Sequence, residues 1–293
     1  MKTNSCYLCN TNSFQNRPGK VRDNDQLTIE ECKSCGLVFL SSFDHIHKEH
    51  YQESGMHGES LPEISEWLNE TEKDDQRRFL FLKEKMTNRK VLDFGCGVSG
   101  FLIKAKNVAK VADGVELETR LQSHFEKNQI VVYSSLEEIA KKEKKYDIIT
   151  AFHVVEHLSD PVSIINELSK LLTKNGELII EVPSSNDVLL TLYENKAFSE
   201  FTYWSQHLFL FNANTFASLI KKTNLQLNWI KYIQRYSLSN HLYWLAKGKP
   251  GGHKLWNHLN SDILDQTYEA VLAANGLTDT IIASVSLKKD ITG

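Results

Sequence analysis

From residue 90 onward, short apolar runs alternate with segments whose apolar residues recur every three or four positions. Residues 91–94, 111–115, 130–133, 147–150 and 177–182 have strand length and composition, while 101–107, 119–127, 136–141 and 162–172 carry helical spacing between them. This alternation predicts an α/β fold with a parallel, doubly wound sheet that binds ligands at its strand C-terminal ends. Farther along, 214–222 reads as a helix, 225–233 and 281–287 as strands, and 256–274 as an amphipathic helix suited to core packing or subunit contact. Ahead of the alternation, residues 63–86 place Ile64, Trp67, Leu68, Phe79, Leu80 and Leu82 at helical spacing, which predicts a helix capping the sheet.

The first strand of the alternation ends in Asp93-Phe-Gly-Cys-Gly-Val-Ser-Gly100. Gly95 and Gly97 let the backbone turn sharply and approach a ligand, and the helix that follows aims its N-terminal amides at the same place. Glu116 stands at the tip of the next strand, 21 positions after Gly95. That is the spacing of a carboxylate that accepts hydrogen bonds from ribose hydroxyls, so the unit is expected to grip an adenosine-containing cofactor. Gly95, Gly97 and Gly100 also satisfy the spacing of nicotinamide and flavin domains, which leaves the decision to residues farther on. Cys96, inside the turn, reads as a small residue and not as a nucleophile.

Those residues are Tyr146-Asp-Ile-Ile-Thr-Ala-Phe-His-Val-Val-Glu-His-Leu-Ser-Asp-Pro161 and Gly176-Glu-Leu-Ile-Ile-Glu-Val-Pro183. With the glycine turn and Glu116, the ordered set resembles class I S-adenosylmethionine-dependent methyltransferases over about residues 90–182. The resemblance implies a Rossmann-like, seven-stranded methyltransferase sheet closed by an antiparallel last strand. It also implies that Asp93, Gly95, Cys96 and Gly97 border the methionine and ribose portions of the cofactor, that Glu116 binds ribose, and that Phe152 and His153 line the methionine side. Ser135 and Leu136 occupy the position that often touches adenine, without the acidic residue frequent there. Taken alone, Asp93 also fits a turn-capping carboxylate.

Four of the five cysteines form two pairs, Cys6-x2-Cys9 and Cys32-x2-Cys35, separated by residues 10–31. Two such knuckles can surround structural Zn2+ tetrahedrally and stabilise a segment too short to build its own core. The 22-residue spacer is slightly longer than common. A redox dithiol or paired disulfides fit less well in a reducing compartment. Residues 36–40 read as a strand closing this zinc ribbon, and a closed four-cysteine site leaves no position for substrate. The expected organisation is a zinc-ribbon module at 1–45, a helical linker or cap at 46–89 and the methyltransferase domain at 90–293, with a long insertion at 234–279. His45, His47, His50 and His57 raise a second metal hypothesis, but no cysteine or acidic cluster completes it, and a polar hinge is the preferred reading.

Methyl transfer is an in-line substitution at a sulfonium, so the enzyme aligns the acceptor and, for a hydroxyl, needs a nearby base. His207 is the leading candidate because its loop should return over the same sheet edge. His157 follows the fourth strand, and Tyr203, with Trp204 and Gln206, can orient a sugar ring. Both histidines have a structural alternative, His157 as the organiser of its loop and His207 as a buried histidine bonded to backbone. His241 is a weaker candidate. In the insertion, Arg235, Lys247, Lys249 or the Gly251-Gly252 backbone can receive an anionic group, against an alternative in packing or homodimer formation.

The chain has 293 residues, 41% of them hydrophobic, with no apolar run of transmembrane length and no apolar N-terminal signal, so a cytoplasmic protein without membrane insertion is expected. A formal net charge of −3 gives no bulk attraction for nucleic acid. The ribbon, core and extension together resemble bacterial enzymes that methylate nucleotide sugars or surface and capsular polysaccharide precursors. O-methylation of such a carbohydrate acceptor is the leading expectation, with C- and N-methylation open. Its rivals are an RNA methyltransferase that uses the ribbon for recognition, a nicotinamide-dependent oxidoreductase and a noncatalytic scaffold.

Overall fold

The computed structural model describes residues 4–46, 61 and 63–288. Three short strands come first: β1 (Phe14–Asn16), β2 (Ile29–Cys32) and β3 (Val38–Leu40). The helix α1 (Ile64–Met86) follows, with the Glu63 carboxylate accepting the amides of Ser65 and Glu66 at its N-terminus. The alternating core is then β4 (Lys90–Phe94), α2 (Gly100–Ala105), β5 (Val111–Val115), α3 (Gln122–Lys127), β6 (Val131–Tyr133), α4 (Leu136–Lys141), β7 (Tyr146–Phe152), α5 (Pro161–Lys170) and β8 (Leu172–Pro183). The chain continues through α6 (Lys196–Thr202), β9 (Phe209–Leu210), α7 (Ala213–Lys221), β10 (Leu225–Ile233), α8 (Leu238–Lys247), α9 (Gly252–Leu255), α10 (Asp262–Asn275) and β11 (Thr280–Leu287).

Seven strands form one sheet in the order β10-β11-β8-β7-β4-β5-β6. The five from β8 to β6 run parallel, and β11 lies antiparallel between β8 and β10. This is the expected α/β sheet with its antiparallel finish. Both faces are buried, as a parallel sheet flanked by helices requires. Successive residues of one strand serve opposite cores: Val91, Ile148, Ile179 and Ile282 pack with Leu82 and Met86 of α1, while Leu92, Ile149, Ile180 and Ala283 pack with α5 and α7.

Strand β8 begins five residues before the predicted run, because Leu172 pairs with Tyr146 across a register shift and carries the polar residues 173–175 into the sheet. The insertion is helical, and the single helix expected over 256–274 is instead a short turn, a break at Asn260-Ser261 and α10. Only Leu272 of α10 is buried, so this helix adds little to the core.

The three N-terminal strands form a second sheet, β1-β2-β3-β9, whose last member comes from after β8. Val38 pairs with Leu210 and Phe39 with Phe209. Leu37, Phe39 and Leu40 share one continuous core with Leu208, Phe209, Phe211 and Val155. The four-cysteine segment is therefore knitted to the segment that follows the fifth parallel strand.

Candidate active site

The turn between β4 and α2 is built on left-handed backbone. Gly95 has φ +74°, and a Cβ there would lie 2.5 Å from Val154 Cγ2, so no other residue fits without displacing the next loop. The Gly97 amide donates to Glu116 Oε2 at 2.8 Å, and the amides of Leu117 and Glu118 donate to Oε1 at 2.7 and 3.0 Å. Both oxygens of the carboxylate are thus oriented by three backbone donors, which fixes Glu116 at the strand tip. Cys96 packs on Gly114, where a Cβ would come within 2.7 Å of its sulfur. Burial pushes the Cys96 thiol well above its ordinary value, which keeps it protonated and unreactive.

A cavity of about 730 Å³ opens at the C-terminal ends of these strands. The structure brings Asp93, Gly95, Cys96, Gly97, Glu116, Ser135, Leu136, Phe152 and His153 together on its wall. Helix α1 closes it from above with Trp67, Thr71 and Arg78. Asp93 is buried and accepts the Thr150 hydroxyl at 2.7 Å, and burial pushes its carboxyl up to about 7. Among the described residues the lining also carries Glu70, Asp74, Asp75, Glu118, Glu137 and Glu167, against two arginines and no lysine. Both arginines are ion-paired, Arg78 with Glu181 at 2.7 Å and Arg235 with Asp74 at 2.5 Å. The cavity is electrostatically suited to a cation.

His157 lines the cavity and His207 does not; the two rings sit behind one another with centroids 4.9 Å apart. Burial, with His157 beside it, pushes His207 down to about 3, so its imidazole is neutral at physiological pH. Tyr203 stands outside the lining, fully buried, with its hydroxyl accepting Arg17 Nε at 2.9 Å. His241 is held inside the insertion by Tyr268 at 2.9 Å and Gln234 at 3.1 Å. Lys247 and Lys249 lie outside the lining, and Arg235 is held by Asp74. Gly252 closes on α8, where a Cβ would meet Tyr243 Cβ at 2.3 Å, so its smallness serves helix packing.

Sequence reasoning missed the network behind the cavity. Glu181 is fully buried in β8 and accepts Arg77 Nη1 and Nη2 at 3.0 and 2.9 Å and Arg78 Nε and Nη2 at 3.0 and 2.7 Å. Burial alone would raise its pKa, but Arg78, His153 and Arg77 hold it well below the usual carboxylate range. His153, in left-handed backbone at φ 55°, bridges Glu156 at 3.2 Å and Glu181 at 3.3 Å. The signal was a lone glutamate inside the apolar run Leu178-Ile-Ile-Glu-Val182.

The sulfurs of Cys6, Cys9, Cys32 and Cys35 all lie within 4.8 Å of one another. Cys6 to Cys35 and Cys9 to Cys32 are each 3.5 Å, far longer than a disulfide. A zinc ion with four sulfurs at 2.3 Å requires sulfur separations of about 3.8 Å, so the donor set fits tetrahedral thiolate coordination. Of the four histidines after the ribbon, His47, His50 and His57 lie outside the described residues, and His45 Nε2 lies 2.7 Å from the Ser205 carbonyl.

The sheet order, with the glycine turn and the fixed Glu116 carboxylate at its strand tips, is that of the Rossmann-like methyltransferase fold. The family described as a methyltransferase domain matches residues 65–228, 164 of the 293 residues, and the chain belongs to that family. Two curated relatives named ubiquinone biosynthesis O-methyltransferase, from Histophilus somni (strain 2336) and Pelagibacter ubique (strain HTCC1062), are 33% identical over 106 and 103 residues. Each match covers 32% of this chain, and 44% and 42% of the relatives, so the chain spans under half the length of these proteins. A chain of the Haloferax volcanii complex between the Trm112 methyltransferase activator and a methyltransferase superposes with a TM-score of 0.51 at 10% identity, covering 79% of this chain and 98% of that one. At that identity the likeness is one of fold. Among the described residues no helix is long and apolar enough to cross a membrane.

Proposed function

We propose that this protein transfers the methyl group of S-adenosylmethionine to a hydroxyl of a small-molecule acceptor, a nucleotide sugar or surface-polysaccharide precursor, and that the four cysteines hold a structural Zn2+. The observation that carries the first part is the convergence of Asp93, the glycine turn, Glu116 and His157 on one acid-lined cavity. S-Adenosylmethionine carries a sulfonium and an ammonium, and the acidic lining complements both. Glu116 holds the ribose hydroxyls, and the α2 N-terminus faces the methionine end.

With S-adenosylmethionine bound, its sulfonium would supply the methyl group to an acceptor hydroxyl aligned in line and leave as S-adenosylhomocysteine, and His157 would take the hydroxyl proton. His157 takes this role because it lines the cavity, whereas an imidazole pushed down to about 3 makes His207 a poor base. His207 and Trp204 pack against His157, with centroids 4.9 and 6.2 Å away, and orient it. The arginines of the lining are held by Glu181 and Asp74, so a nucleotide sugar enters by its neutral ring and leaves its diphosphate outside. The names of the curated relatives support O-transfer and supply a second reading, a phenolic ubiquinone precursor.

The test is release of S-adenosylhomocysteine with separate pools of nucleotide sugars, quinone-precursor phenols and RNA. Release with the sugar pool supports the leading reading, release with the phenols selects the second, and release with RNA alone rejects both. His157→Ala is expected to lower kcat by about 10²–10⁴ with S-adenosylhomocysteine affinity unchanged, the usual contribution of a general base; an unaffected kcat removes His157 from that role.

Asp93 gives a pH dependence with a definite sign. A cationic cofactor favours the carboxylate, and in the free protein the acid is half protonated near pH 7. Binding below that pH must release the proton, so S-adenosylmethionine affinity rises by up to about tenfold per unit from pH 6 to 7 and levels off above 8. Asp93→Asn abolishes this slope; a wild-type affinity flat across pH 6–8 in calorimetry would contradict the assignment.

A further inference from the structure

The spacer between the two cysteine pairs is longer than a ribbon needs, and the excess lies in residues 17–28, between β1 and β2. That loop reaches across to the segment bearing Trp204 and His207. Arg17, only 12% exposed at its side chain, donates Nε to the Tyr203 hydroxyl at 2.9 Å, Nη1 to Glu31 at 3.3 Å and Nη2 to the Ser185 carbonyl. The Arg22 amide donates to the Tyr203 carbonyl at 3.0 Å. Asp23 accepts both the Ser205 amide, at 2.9 Å, and the Ser205 hydroxyl, at 2.7 Å. The Ser205 carbonyl meets His45 Nε2 at 2.7 Å. Every polar group of Ser205 is therefore engaged by the N-terminal segment, and the guanidinium of Arg22 lies 5.2 Å from the Trp204 ring.

What this grip fixes is the acceptor side of the cavity. Residues 204–207 form a turn, closed by the His207 amide on the Trp204 carbonyl at 3.0 Å, and the Leu208 amide then bonds the Glu156 carbonyl at 2.9 Å. The turn seats Trp204 and His207 against His157, while the hydrogen bonds described for its anchors Arg17, Arg22, Asp23 and His45 include none to the glycine turn or Glu116. We propose that Arg17 and Asp23 of the cysteine ribbon are positioning residues for the acceptor site, holding the 203–208 turn so that Trp204 and His207 set the orientation of His157. The metal-binding module thereby acts on methyl transfer through the acceptor side and not through the cofactor. The catalytic consequence rests on the reading of His157 given above; the positional one does not.

The test compares Arg17→Ala, Asp23→Ala and Asp23→Asn in the full, metal-loaded chain. Amide hydrogen exchange in peptides spanning 201–208 is expected to rise about tenfold in Arg17→Ala and at least threefold in Asp23→Ala, while Asp23→Asn, which still accepts the Ser205 amide, stays near wild type. The emission of Trp204, taken as the difference from Trp204→Phe, shifts to the red in the two alanine variants. Affinity for S-adenosylhomocysteine stays within twofold throughout, and kcat/KM for the acceptor that releases S-adenosylhomocysteine falls at least tenfold in Arg17→Ala. Asp23 is exposed and its removal strips only the Ser205 amide and hydroxyl of their acceptor, without leaving a buried charge, so Asp23→Ala remains informative if Arg17→Ala folds poorly. Unchanged exchange and emission in Asp23→Ala overturn the proposal, and so does a parallel loss of S-adenosylhomocysteine affinity, which would mark a general loosening of the fold. Because exchange and emission need no acceptor, failure to find methyl transfer would not be confused with failure of the positioning role.

Discussion

Glu181→Ala will destabilise the protein by about 3–5 kcal/mol, the range for removing one partner of a buried ion pair and leaving the other uncompensated. Glu181 is fully buried in β8 and receives four hydrogen bonds from Arg77 and Arg78, with His153 at 3.3 Å. Without it, Arg78, itself buried and 4.6 Å from the Phe152 ring, keeps Asp75 only at 3.7 Å. Arg77 falls back on Asp74, which Arg235 also engages. The loss staples less of α1 to the sheet, and α1 roofs the cavity, so cofactor affinity should fall with stability. Glu181→Gln keeps a hydrogen-bonding shape and should cost less. Denaturant midpoints for the three proteins check this; an alanine variant within about 1 kcal/mol of wild type would show that the arginines find water or other partners.

Cys32→Ser is expected to have the second large effect. Cys32 is buried in β2, with Cys9 Sγ at 3.5 Å, and a serine hydroxyl is a poor substitute for thiolate on zinc. Structural zinc in small modules supplies apparent free energies on the order of 10 kcal/mol, and its loss should unfold the ribbon locally. The damage will not stop there, because Phe39 pairs with Phe209 and the ribbon shares its core with Val155 and Phe211. Metal content below one equivalent, together with rapid proteolysis in both the ribbon and the segment around β9, is the expected result. A zinc-free variant that resists protease as wild type does would show that the four sulfurs are not a folding site.

The strands of the parallel core were legible because each is a short apolar run between helical segments, and β5, α4 and β10 have the bounds that their patterns predicted. The meeting of Asp93, the glycines and Glu116 on one cavity wall was legible for a related reason: one continuous strand, turn, helix and strand carries them, so local spacing determines where they meet. Pairings between distant segments left no such trace. Nothing in Val38-Phe-Leu40 announces Phe209-Leu210 as its partner, and nothing in Arg77-Arg78 names Glu181, although a charge inside an apolar strand should have prompted the search. Tyr203 and Arg235 looked available as a hydroxyl and a cation because their partners, Arg17 and Asp74, lie 186 and 161 residues away in sequence.

The most direct measurement is a calorimetric titration of the full chain with S-adenosylmethionine, run beside one with a nicotinamide dinucleotide. Saturable one-to-one binding of S-adenosylmethionine, weakened by Glu116→Ala through loss of the ribose contacts, is the predicted result. No binding of S-adenosylmethionine, or preference for the nicotinamide dinucleotide, would contradict the assignment of the cavity to a methyl donor.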